Sequence, residues 1–240
     1  MRLNFFEIII RPFRYKNILQ KLFTAFVLFV PFIIAVTIMQ LSKFWAIILF
    51  IGAFLNVFGY LWVIFHDEIK EKNDTLPEWR LVQCFFIGIK GVIFVLGFVA
   101  LYITTVMTIW LLVHYVPMFR IPALILTVLL TIYWFFFLFA TASALFASDF
   151  EFNDSFDFHK SSHIAENCWM DYLKALIYLG LSFSIGGLIS LLIYWFIKLF
   201  YPAIASIGAL AFFILYFVMV SIILYAKVYK IISDKYDSYL

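Results

Sequence analysis

Charged residues are scarce in this sequence. They make up 13% of its 240 residues, about half the share of a soluble domain. None falls within six long apolar runs, at residues 22–41, 44–65, 91–113, 123–147, 175–197 and 203–226. That gap removes the buried acids and bases on which most membrane enzymes and ion-coupled transporters depend. No run of Lys and Arg grips a phosphate backbone, so nucleic acid is excluded as a partner. Cysteine is also rare. Cys84 and Cys168 both lie near the face assigned below to the cytoplasm, where thiols stay reduced, so no structural disulfide is expected. The first twenty residues mix Glu7, Arg11, Arg14 and Lys16 with Phe and Ile, and no small-residue cleavage site follows. A removable signal peptide is not expected, and the first apolar run is expected to act as the insertion signal.

Apolar bulk is abundant: 66% of the chain is hydrophobic, with 32 Phe. So much apolar surface needs a non-aqueous solvent. Each run approaches or exceeds the roughly 20 residues that cross a hydrocarbon core about 30 Å thick. Lipid offers no hydrogen bonds, so each run must bond within itself as a helix. The expected fold is one all-α integral membrane domain of six transmembrane helices with cytoplasmic interfacial amphipathic helices. Pro31 removes a ladder bond and predicts a kink in the first span.

The charges sort by side. The short connections carry only Lys43, Arg120 and Lys198; the other fourteen basic residues and all fourteen acids lie on the opposite face. The positive-inside rule then places both termini in the cytoplasm of a bacterial or archaeal inner membrane. Trp45, Trp110 and Trp195 mark the outer boundary, and Trp62, Trp79 and Trp169 the inner one. Trp134 alone lies mid-span, packed on another helix or facing lipid.

Each pair of spans follows a stretch that reads as an interfacial amphipathic helix. The clearest starts at Thr75-Leu76-Pro77-Glu78, a capping box in which Thr75 caps and Glu78 reaches back. Pro77 suits a first turn. Leu76, Trp79, Val82, Phe86 and Ile89 then follow helical spacing. A second runs through Ile164, Trp169, Tyr172 and Leu173 to Lys174, capped by Asp154 or Ser155. The first sets Phe6, Ile9, Ile10 and Phe13 against Arg2, Glu7, Arg11 and Arg14. Lys21, Lys90 and Lys174 each precede a span, which gives a weak threefold repeat. The run Arg14-Tyr15-Lys16-Asn17-Ile18-Leu19-Gln20-Lys21-Leu22, then Pro31-Phe32, Gly59-Tyr60 and Leu76-Pro77-Glu78-Trp79, resembles an uncharacterised prokaryotic membrane family, domain of unknown function 4013. Asp171-Tyr172-Leu173-Lys174-Ala175 is similar to that family's later cytoplasmic stretch. Arg80-Leu81-Val82 departs from it, standing where the family has an acidic, turn-like pair. The resemblance implies a multi-span membrane protein and no particular activity.

Candidate sites are few. His159 and His163 lie one helical turn apart, with Glu166 a turn further and Asp157 nearby, a spacing that can hold zinc. The Glu that a zincin places directly after its first His is missing, so a solvated helix face is expected and no metal. Asp149, Glu151, Asp154 and Asp157 alternate with Phe150 and Phe152, but no Gly supplies the turn of a calcium loop. An interfacial strip, its Phe rings dipped into the interface and its acids facing water, is expected there. Asn56 with Thr104, Thr105, Thr108, Thr127 and Thr131 offers either a polar path or helix-pairing bonds. No nucleophile–base pair is visible, so no catalytic residue and no cofactor is expected. Ser182, Gly186 and Ser190 form a small-residue ladder in the fifth span, and Ala140, Ala144 and Ser148 another in the fourth. Such ladders receive a neighbouring helix, from this chain or from a partner.

These features point to a non-enzymatic inner-membrane protein, a scaffold or accessory subunit of a larger complex, whose partners are the lipid bilayer and other membrane subunits or itself. The alternative is a transporter or lipid-handling protein with a cavity between helical hairpins.

Overall fold

The computed structural model of the chain describes residues 4–18, 20, 21, 24, 27, 43–70, 76–200 and 202–236. These residues form helices and no strand. In chain order they are α1 (Phe5–Arg14), α2 (Lys43–Ile69), α3 (Leu81–Tyr115), α4 (Arg120–Tyr133), α5 (Phe139–Asp149), α6 (Phe158–Asn167), α7 (Trp169–Phe200) and α8 (Pro202–Tyr236). A single π-helical turn, Trp134–Leu138, joins α4 to α5 without a break.

Five helical runs among the described residues are long and apolar enough to cross a membrane: Phe44–Ile69, Leu81–Tyr115, Arg120–Asp149, Trp169–Leu199 and Phe212–Asp234. Four of the expected spans lie within these runs; the one expected at 203–226 overlaps the last run over 212–226 only, and the chain is a multi-pass membrane protein. The remaining span, at 22–41, and its kink at Pro31 lie outside the described residues, apart from Thr24 and Val27, which are helical.

The chain packs as antiparallel hairpins. α2 lies along α3, and α7 along α8, which also touches α2 and α1. Glycine sets the first approach. A Cβ at Gly59 would overlap the Cys84 carbonyl, and one at Gly88 the Leu55 carbonyl. Small residues of this kind let two backbones close up where lipid supplies no hydrophobic drive between helices.

Packing is concentrated at the end of the bundle where the charges collect. One buried cluster joins Ile8 and Ile9 of α1 to Tyr60 and Ile64 of α2 and to Val220, Ile223 and Leu224 of α8. A second is aromatic, with Phe94, Phe98 and Phe146 fully buried beside Trp62 and Trp134. Trp134, the mid-span indole, packs on Phe98 and Phe158 rather than facing lipid. Towards the far end, the large apolar side chains of α2, α4 and α7 are exposed, as lipid-facing positions are.

Two of the expected interfacial helices are corrected. α3 starts at Leu81, so Pro77, Glu78 and Trp79 lie in a non-helical segment before it, and Arg80 at its cap is extended and makes no side-chain capping bond. Thr75 lies outside the described residues. The stretch leading to Lys174 is also two pieces: α6 ends at Asn167, and α7 starts at Trp169 and runs on into the span. Neither Asp154 nor Ser155 caps α6. Asp157 does, accepting from the Lys160 N–H at 3.0 Å. α1 is a separate helix, but Ile8, Ile9 and Pro12 are the residues it buries, while Phe6, Ile10 and Phe13 form an exposed apolar stripe.

Candidate functional site

Three short runs, far apart in sequence, meet at the charged end: residues 14–18 with Lys21, Gly59-Tyr60 and residues 76–79. The Asn17 amide clasps Leu76 from both sides. Its Oδ1 accepts from the Leu76 N–H at 2.9 Å, and its Nδ2 donates to the Leu76 carbonyl at 3.0 Å. The Tyr60 hydroxyl donates to the Pro77 carbonyl at 2.9 Å. Trp79 stacks on Tyr60, ring centres 4.0 Å apart and 9° from parallel. These contacts explain the late start of α3. The helix-starting signal at Thr75–Glu78 is local, and residue 76 is already biased towards extended backbone by the proline after it. Partners on two other segments take up the Leu76 N–H and the Leu76 and Pro77 carbonyls, which holds this backbone outside the helix.

An ion-paired strap holds α1 over this region. Arg11 makes a two-pronged bond to Glu68 on the last turn of α2, Nε to Oε2 at 2.9 Å and Nη2 to Oε1 at 3.2 Å. The Tyr15 hydroxyl donates to the same carboxylate. Glu68 is only 8% exposed, so the pair and the hydroxyl together satisfy a carboxylate that burial would otherwise make costly. Burial, with the Glu68 charge beside it, pushes the Tyr15 phenol well above its usual range, so it stays a donor. On the other side of α1, Lys227 of α8 donates to Glu7 at 2.6 Å. That bond holds the Glu7 carboxyl below the usual carboxylate range.

Beneath the strap lies an apolar cavity of about 110 Å³, bounded by α1, Lys21, α2, the Leu76–Arg80 segment and α8. A second, of about 260 Å³, lies between α2, α5 and α8, with Phe135 of the π turn and Ser143 in its wall. Leu61 belongs to both walls.

The acidic-aromatic strip is corrected. Phe152 turns inward rather than into the interface, packing on Phe146, and Phe156 and Phe158 beyond it pack on Phe94 and Phe98. Phe150 takes a left-handed conformation, φ 60°, at the end of α5. Its N–H bonds to the Phe146 carbonyl at 2.8 Å, and its carbonyl accepts from Lys90 at 3.2 Å. Among the described residues no three of His, Cys, Asp and Glu gather as metal ligands. Asn167 lies 3.3 Å from His163 Nδ1, and Ser162 donates to Glu166 at 3.0 Å.

The small-residue ladders face inward. Ser182 and Ser190 are buried, and a Cβ on Gly186 would meet the Tyr216 ring of α8 at 2.6 Å. Ala140 and Ala144 are core residues as well. Thr104, Thr105 and Thr108 bond to carbonyls of their own helix, as does the Asn56 amide. Thr131 reaches across to Tyr102, 2.6 Å away.

The model of the family described as Protein of unknown function (DUF4013) matches residues 41–195. The chain belongs to that family. No curated protein and no solved structure matches it. Of the runs that suggested this family, Tyr60 and Leu76–Trp79 fall within the matched region, and Asn17 precedes it. Sequence reasoning missed Arg11, Tyr15 and Glu68 as a group. The only local signal was an acid placed at the end of an apolar run, and its partners lie more than fifty residues away.

Proposed function

We propose that this DUF4013 protein is a non-enzymatic scaffold or accessory subunit of a prokaryotic inner-membrane assembly, with both termini in the cytoplasm. The observation that carries this reading is α7. Among the described residues it packs chiefly on one neighbour, α8. It turns the Ser182, Gly186, Ser190 ladder to that neighbour and leaves the opposite stripe of Ile177, Leu181, Leu188, Leu192 and Leu199 exposed. A span held, among the described residues, on one side offers its other side to a further span, by packing alone. The orientation is supported by the 14-to-3 split of basic residues. The exposed stripe of α1 suits a helix lying in the interface.

The docking face is therefore the bulky stripe and not the small-residue ladder. Extraction in mild detergent should recover a stoichiometric membrane partner or a second copy. A Leu188→Cys variant should cross-link to it. Gly186→Leu should instead weaken the α7–α8 pair itself and lower the thermal midpoint. A purified monomer without partners would overturn the assembly reading and favour transport or lipid handling.

A further inference from the structure

We propose that the cavity beneath α1 holds an acyl chain of a negatively charged phospholipid, drawn from the leaflet at the charged end of the bundle. The cavity is partly open, and its wall is carbon: Phe13, Val57, Leu61, Leu215 and Met219, with the stem of Lys21 among them. An apolar cavity on the order of 150 Å³ stays dry and accepts hydrocarbon, and this one, at about 110 Å³, is of that order. In a membrane protein the hydrocarbon at hand is lipid.

Charge selects a phospholipid with an anionic headgroup. Lys21 belongs to the cavity wall, and Arg14 and Lys16 precede it on a connection that carries no acid. A lysine with its stem along an apolar wall presents its ammonium at the headgroup level. Glu78 and Arg80, on either side of Trp79, offset each other. Trp79 lies in the same wall, where its indole can report what fills the cavity. The proposal rests on membrane insertion alone and is independent of any partner subunit.

The test uses the full chain in phosphatidylcholine nanodiscs doped with phosphatidylglycerol brominated on its acyl chains. Bromine quenches indole fluorescence on contact. The difference between the wild type and Trp79→Phe isolates the Trp79 signal. That signal should be quenched at a several-fold lower mole fraction of brominated phosphatidylglycerol than of brominated phosphatidylcholine. Lys21→Gln should abolish the preference. Val57→Phe, which fills the cavity with Lys21 intact, should abolish the quenching. Leu215→Phe fills it from α8 if the first variant does not fold. Equal quenching by the two lipids, no quenching, or quenching that survives a folded cavity-filling variant would overturn the proposal.

Discussion

At the scale of single residues, Glu68 is the group whose loss matters most. It is the nearly buried acceptor for both Arg11 and Tyr15. Glu68→Gln keeps the shape but removes the charge, leaving the part-buried Arg11 without its anion. The expected cost is on the order of 2 kcal/mol, the scale of hydrogen bonds to charged groups. Thermal unfolding in detergent should show a lowered midpoint, and protease should cut near α1 sooner. Glu7 adds a pH dependence. Its pKa is lowered in the folded state, chiefly by the Lys227 bond. A depressed carboxyl stabilises above its unfolded pKa, and the contribution is lost as pH falls through the folded value. Docking of α1 should therefore be unchanged from pH 7 to pH 5 and loosen in more acid solution. Hydrogen exchange of residues 5–14 across that range would check it. Exchange that rises already near neutrality would contradict the assignment to Glu7.

At the scale of elements, the α2–α3 hairpin depends on two glycines. Gly59 and Gly88 each sit against a backbone carbonyl of the other helix, and backbone cannot yield as a flexible side chain does. Gly59→Leu should force the helices apart and cost about 3 kcal/mol, at the upper end of overpacking penalties. Its thermal midpoint should fall well below that of Gly52→Leu, because a Cβ at Gly52 meets nothing within 4 Å. Equal effects from the two substitutions would refute this account of the hairpin. The π turn at Trp134–Leu138 and the start of α3 share a lesson. Periodicity alone marks a span, but where a helix begins, or takes an extra residue, depends on what packs against it.

At the scale of the molecule, the charge-poor far end and the charged end predict distinct labelling. A cysteine at Pro117, in the short connection after α3, should react with an impermeant maleimide added to intact cells. One at Asn153 should react only after the membrane is opened. Labelling of Asn153 in sealed cells would reverse the orientation. The structure also redistributes stability between the two ends. Both buried clusters lie towards the charged end, where Phe94, Phe98 and Phe146 have no exposed surface. The far halves of several helices are left to lipid.

Hydropathy and charge by themselves determined that this is a multi-pass helical membrane protein, and which face holds the charge. Those properties follow from the solvent: lipid rejects charge and unpaired backbone wherever it meets them, so a one-dimensional count suffices. Only the tertiary structure decided the rest. It turned Ser182, Gly186 and Ser190 towards α8, drew the Phe residues of 152–158 into the core, and made 76–79 a clasped non-helical segment instead of a first helical turn. In each case the local signal was ambiguous between two faces or two conformations. Partners distant in the chain settled it: Tyr216 for the ladder, Phe94 and Phe98 for the strip, Asn17 and Tyr60 for the clasp. Their positions are not encoded in any short window, because each contact depends on how separate helices pack.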